Sequence, residues 1–157
     1  MQVFTEYFTQ LYAAPVGLRE ADVQEYFENI ALVWFEEAHR AYLDMPFTVE
    51  EVAAAILSLP GDKSPGVDGL TPAFYKEYVD ILAPCLLEVY AESLETGSLP
   101  ASLREALIIT VLKPGKDPTR CDSYRPLSMI NIDNKILAKM IVTRLQPLLS
   151  RLVLPDQ

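Results

Sequence analysis

Histidine and cysteine are nearly missing from this chain, and their scarcity narrows its chemistry at once. The 157 residues include one histidine, His39, and two cysteines, Cys85 and Cys121. The cysteines lie in unlike contexts, an apolar helical stretch and a polar loop, so no zinc constellation can be assembled from these groups. Reduced thiols in an intracellular protein are the plain reading, with Cys85 a core thiol among Leu82, Leu86 and Leu87. His39 stands beside Glu36, Glu37 and Arg40 and reads as a surface residue. Long hydrophobic runs are also missing. None approaches the roughly 20 residues that span a bilayer. The N-terminus MQVFTEYFTQ has neither an early basic cluster nor an apolar signal core. The expected location is therefore intracellular, cytoplasmic or nuclear, neither secreted nor in a membrane.

Positive charge is scarce overall, at 13 Lys and Arg against 22 Asp and Glu, but it is not scarce everywhere. Residues 1–62 carry 2 basic and 11 acidic groups, 63–100 carry 2 and 6, and 101–157 carry 9 and 5. An acidic front is joined to a basic rear, a pattern that suits a C-terminal part facing polyanions. Half the residues are hydrophobic, enough for one ordinary domain with a real core.

Apolar spacing predicts a mostly helical α+β chain. Helices are expected over Val3 to Tyr12, Glu20 to Ile30 and Phe35 to Leu43, then over Thr48 to Leu59. Thr48 with Glu51 three residues on is a capping-box spacing, and Val52, Ala55, Ile56 and Leu59 supply the buried face. Pro72 after Thr71 opens another helix, which pauses at Pro84 and resumes to Thr96, with Gly97 as its stop. Ser98 to Ser102 reads as a turn. Residues 105–113 are short, β-branched and apolar, and predict a largely buried strand. Ser123 to Ile130 returns beside it, although Pro126 weakens the pairing. A long helix follows from Asp133, its expected cap, to Leu154, bent at Pro147, with Arg144 away from the apolar face. Residues 1–46 form a helical preamble, and the main domain covers 47–157.

Two stretches could carry chemistry. In 107–131, LIITVLKPGKDPTRCDSYRPLSMIN, two strands flank a turn-rich loop with Lys113, Lys116, Arg120 and Arg125 at or near it. Lys113 offers a point charge and Arg125 a two-pronged fork across the ladder, with Lys116 as a third contact, and both types suit triphosphate oxygens. A solvated turn, or a pairing of Arg125 with Asp122 or Asp133, is the plainer alternative. Tyr124 could stack on a base or sit half-buried. The second stretch is GDKSPGVDG, residues 61–69, where backbone N–H groups beside Lys63 could receive a phosphate. It lacks the GxxxxGK spacing of a Walker loop. Asp68-Gly69 is equally an ordinary turn.

The ordered blocks KSPGVDGLTPAFYK, GSLPASLREALIITVLKPGKDPTRCDSYRPLSMINIDNKILAKMIVTRL and LVLPDQ resemble the reverse transcriptase of non-LTR retrotransposons of the long interspersed element type. FTEYFTQLYAAP and FTVEEVAAAILSLP are similar to the segment preceding that domain. The resemblance covers nearly the whole chain, most closely 47–157. It implies the fingers of a polymerase right hand, a β-hairpin flanked by helices, cut before the catalytic palm. It implies that Lys113, Lys116 and Arg125 meet the triphosphate and that Lys63, Asp68 and Gly69 lie near the template. The family works with Mg2+ on an RNA or DNA template and deoxynucleotides. Its catalytic aspartates belong to blocks after PDQ and have no counterpart here, so the resemblance assigns no catalytic residue, metal ligand or cofactor to this chain.

Three functions remain open on the sequence. The first is a fragment of a retrotransposon RNA-directed DNA polymerase, inactive alone, binding nucleic acid weakly or not at all. It would self-associate through apolar surface meant for the palm, with Leu148, Leu152 and Leu154 as members. The second is a domesticated module that binds RNA or protein on the fingers scaffold. The third is an enzyme of another class built on the 61–69 loop, for which no base or metal-ligand set is evident. Salt-sensitive RNA binding separates the first two.

Overall fold

The computed structural model describes residues 2–13, 20–28 and 35–152. Among them the helices are α1 (Gln2–Leu11), α2 (Glu20–Glu28), α3 (Glu37–Leu43), α4 (Val49–Ser58), α5 (Pro72–Glu77), α6 (Val79–Thr96), α7 (Ala101–Arg104) and α8 (Ile132–Leu152). Strands β1 (Ala106–Leu112) and β2 (Tyr124–Ile130) form one two-stranded sheet. The α+β, mostly helical class is as the sequence predicts. No helix of the described residues is long and apolar enough to cross a membrane.

The chain divides into two compact units, Phe35–Ile109 with Leu127–Gln157 and Met1–Trp34 with Thr110–Pro126. The larger unit holds the core, where α4 packs against α6 and α8. Val52, Ala55 and Ile56 of α4 meet Tyr75, Ala83, Tyr90 and Leu103 and the α8 stripe Ile132, Ile136, Leu137 and Met140. The local signals account for the helix starts. Thr48 Oγ1 accepts from the Glu51 N–H at 3.3 Å and Glu51 Oε2 from the Thr48 N–H at 2.9 Å, a complete capping box. Thr71 Oγ1 accepts from the Phe74 N–H, with Pro72 in the first turn of α5.

Several expectations fail for physical reasons. The break between α5 and α6 falls at Tyr78, not at Pro84. Pro84 therefore sits in the second turn of a new helix, where it forfeits only the bond to the Asp80 carbonyl. Ala101–Arg104 is a helical turn that buries Leu103, where a plain turn was expected. Helix α8 starts at Ile132, so Asp133 lies inside its first turn and accepts from the Asn134 N–H at 2.8 Å instead of capping it. Cys85 is exposed, not a core thiol. It lies two residues from buried Ala83, which on a helix is the opposite side. Leu148 is buried, because it continues the stripe of Met140 and Arg144 at four-residue steps. Leu154 and the Leu152 side chain lie outside what is described.

The hairpin holds a further departure. The Lys113 N–H donates to the Ser123 carbonyl at 2.9 Å, a register that pairs Val111 with Arg125 and Thr110 with Pro126. Hydrogen-bonded and non-hydrogen-bonded pairs alternate along an antiparallel ladder. Pro126 thus occupies a non-hydrogen-bonded position, and the N–H it lacks would point away from β1. This is why proline is tolerated there. Strand β1 is exposed along its whole length, not buried as its composition predicts. Leu107 and Ile109 on one face and Ile108 on the other are all open, since among the described residues no third strand or further layer covers the pair.

In the smaller unit α1 buries no residue. Its Phe4 ring meets Tyr124 edge-on, with centroids 4.9 Å apart.

Candidate functional site

The loop between the strands is built from three successive turns. The Lys116 N–H donates to the Lys113 carbonyl at 3.2 Å, with Pro114 and then Gly115 (φ 69°) between them. Proline followed by a residue of positive φ is the type II pattern. Next the Arg120 N–H reaches the Asp117 carbonyl, and the Ser123 N–H reaches that of Arg120. Asp117 Oδ1 accepts from both the N–H and the Oγ1 of Thr119, at 2.9 and 2.7 Å, which holds its carboxyl below the usual range. Tyr124 is half-buried and its hydroxyl donates to the Pro118 carbonyl at 3.0 Å, so the ring is committed to the loop's own structure.

This folding collects charge around one cavity of about 440 Å³, lined by Lys113, Lys116, Asp117, Arg120, Asp122 and Ser123. Lys113 Nζ donates to the Asp122 carbonyl at 2.7 Å. Arg120 grips the Asp122 carboxylate with two prongs, Nε to Oδ1 at 3.0 Å and Nη2 to Oδ2 at 2.8 Å. That pairing holds the Asp122 carboxyl below its usual range. Lys113 and Lys116 thus lie together. Arg125 lies on the same face of the ladder, two residues beyond the Lys113–Ser123 pair, but does not line the cavity. Among the described residues it has no side-chain hydrogen bond or ion pair, and Asp122 is engaged by Arg120 instead.

The second stretch, in the larger unit, is held from α8. The turn Gly66–Gly69 closes with the Gly69 N–H on the Gly66 carbonyl at 3.3 Å, and Asp68 Oδ1 accepts from the Leu70 N–H at 3.0 Å. Asn131, buried just before α8, places Oδ1 3.5 Å from the Asp68 N–H donor and donates Nδ2 to the Ser102 carbonyl at 3.2 Å. Lys135 Nζ donates to the Ser64 carbonyl at 3.3 Å. A Cβ on Gly66 would fall 2.5 Å from the Asn131 nitrogen and nearer still to its Oδ1, so only glycine fits this approach. Lys63, Asp68 and Gly69 are exposed on this seated loop.

Three residues matter here through partners that the sequence alone does not show. Arg120 is one, and its signal is the Arg-x-Asp spacing within a turn. Asn131 is another, at a helix start. Arg144, expected on the surface, is buried. Its fork meets both Glu51 oxygens at 2.8 and 2.7 Å, it donates to the carbonyls of Leu43, Met45 and Pro46, and it lies 4.1 Å over the Phe47 ring. The pair lowers the Glu51 pKa and raises that of Arg144. Its position on the α8 stripe was the available clue.

Among the described residues no group of three His, Cys, Asp or Glu side chains could hold a metal ion.

No protein-family model matches the chain. Similar curated proteins do exist. A 149 kDa uncharacterized protein of transposon TX1 from Xenopus laevis is 33% identical over 150 residues, covering 96% of this chain. The probable RNA-directed DNA polymerase from transposon BS of Drosophila melanogaster is 35% identical over 71% of it. The RNA-directed DNA polymerase from mobile element jockey, of the same fly, is 35% identical over 66%. The chain spans only 11 to 12% of the length of these relatives.

Proposed function

The chain belongs, by homology along nearly its whole length, to the proteins of non-LTR retrotransposons that include RNA-directed DNA polymerases, and on that premise we propose that it is the fingers portion of such a polymerase. In this reading residues 47–157 are the fingers and 1–46 the preamble. The loop after β1 receives the triphosphate of an incoming nucleotide, with Lys113 and Lys116 as its contacts and Arg125 approaching from the ladder. The seated loop with Lys63, Asp68 and Gly69 runs beside the template. The Mg2+ ions are held by carboxylates that are not among these residues. The exposed faces of β1 belong against the rest of a longer protein, and in the isolated polypeptide they promote self-association. The setting is intracellular.

One observation carries the reading: the hairpin loop brings two lysines to a single polar cavity of a size that admits a polyphosphate. Lys113 rests there on a neutral carbonyl, which a phosphate oxygen can replace without separating an ion pair. Tripolyphosphate titrated into the protein at low ionic strength is the direct test. Binding is expected to be weak, to fade as salt screens the charges, and to drop about threefold or more in Lys113→Gln. Binding that ignores both salt and the substitution would remove the reading. The 157-residue polypeptide is also expected to give no templated product in a primer-extension assay. Two-metal transfer requires carboxylates that hold both ions, and among the described residues no group of three or more His, Cys, Asp or Glu side chains is placed to hold one. Templated extension would overturn that expectation.

A further inference from the structure

We propose that Arg120 is a phosphate ligand of this loop held in reserve by Asp122, whose carboxylate occupies the guanidinium until a polyphosphate displaces it. The inference rests on the reading of the loop as a triphosphate receiver. It adds a ligand and a competing group that the lysines alone do not provide.

The geometry is that of substitution. A guanidinium fork binds a carboxylate and a phosphate through the same two parallel N–H donors. Arg120 already holds that arrangement on Asp122 and lines the same cavity as Lys113 and Lys116. Both partners are open to solvent, at 66% and 49% side-chain exposure, so the pair is weak and exchangeable. Asp117 cannot play this part. It lines the same cavity, but its carboxylate is committed to Thr119. The three cations of the cavity thus face two carboxylates of different kinds, one fixed to its own turn and one resting on a cation. An anion entering beside Lys113 and Lys116 meets the Asp122 charge as a repulsion and as a rival for Arg120. Removing that charge relieves both effects.

The test is calorimetric titration of tripolyphosphate, without metal, into the wild-type protein, Asp122→Asn, Asp117→Asn and Asp122→Asn with Arg120→Gln. Circular dichroism melts check that each variant is folded. The expected result is about threefold tighter binding for Asp122→Asn, a smaller gain for Asp117→Asn, and loss of the gain when Arg120 is also replaced. Equal gains in the two asparagine variants would mean net charge alone and would overturn the inference, as would a gain that survives loss of Arg120. In either case, wild-type binding that weakens in Lys113→Gln would leave the triphosphate reading standing. No binding by any of the proteins would overturn both.

Discussion

Arg144→Met should lower stability by about 3 kcal/mol, the lower end of the range for breaking a buried ion pair, because Glu51 keeps partial access to water. In a chain of this size that corresponds to a fall in Tm of roughly 6–12 °C, read by a circular dichroism melt. The size follows from how much converges on one side chain. Arg144 joins α8 to the first turn of α4, to the last carbonyl of α3 and to two carbonyls of the segment that follows it. Methionine matches the aliphatic stem and none of the donors. Lysine restores the charge but not the fork, so Arg144→Lys should recover less than half of the loss. The pair also sets a pH dependence. Arg144 depresses the Glu51 pKa in the folded state, so the folded protein binds fewer protons there than the unfolded chain. Its contribution is complete above the ordinary value of 4.5 and is lost as the pH falls below it toward the depressed one. Glu51→Gln should flatten that part of the acid-stability curve. A loss below about 1 kcal/mol for Arg144→Met would show that water replaces the fork at little cost.

Gly66→Ala is the second large effect, and it bears on the loop assigned to the template side. The added methyl has no room beside Asn131, whose backbone lies within 2.6 Å of where it would stand. Relief requires lifting either the 66–69 turn or the start of α8. Overpacking of this kind costs about 1–3 kcal/mol, and here the strain falls on backbone that cannot rotate away. The turn should therefore detach from Asn131, with faster amide exchange over residues 67–70 and faster tryptic cleavage after Lys63. Asn131→Ala in the same background should not restore the stability, because the backbone nitrogen and Cα that the methyl meets remain in place. A Gly66→Ala protein with wild-type exchange and melting would refute the close-approach argument.

What the sequence made legible was local. Thr48 and Glu51 meet within one turn of helix, and Pro114-Gly115 is a turn wherever it stands. The apolar steps along α8 gave its buried stripe. The misreadings concern partners distant in sequence. Arg144 stands 93 positions from Glu51, and no pattern within a helix announces that an arginine on its buried stripe will find a carboxylate there. Strand β1 has the composition of a covered strand, but composition cannot supply the layer that covers it. Cys85 was placed by its apolar neighbours in sequence, whereas α6 turns the thiol away from the core that Ala83 and Tyr90 face. At the site, the lysines were visible as a cluster. The occupation of Arg120 by Asp122 was not, because it depends on how three turns stack. Arg125, expected across the ladder from Lys113, stands on the same face two residues beyond the Lys113–Ser123 pair, a register that the sequence does not state.

Pro126 has a consequence beyond its own pairing. Because its nitrogen faces outward and carries no hydrogen, the outer border of β2 presents an interrupted row of donors to any strand that approaches it. The outer border of β1 has no such gap, since Ala106–Leu112 contains no proline. The two-stranded sheet is therefore directional. It can be extended by strand addition on the β1 side and resists extension on the other, so one residue fixes the side from which a wider sheet can grow.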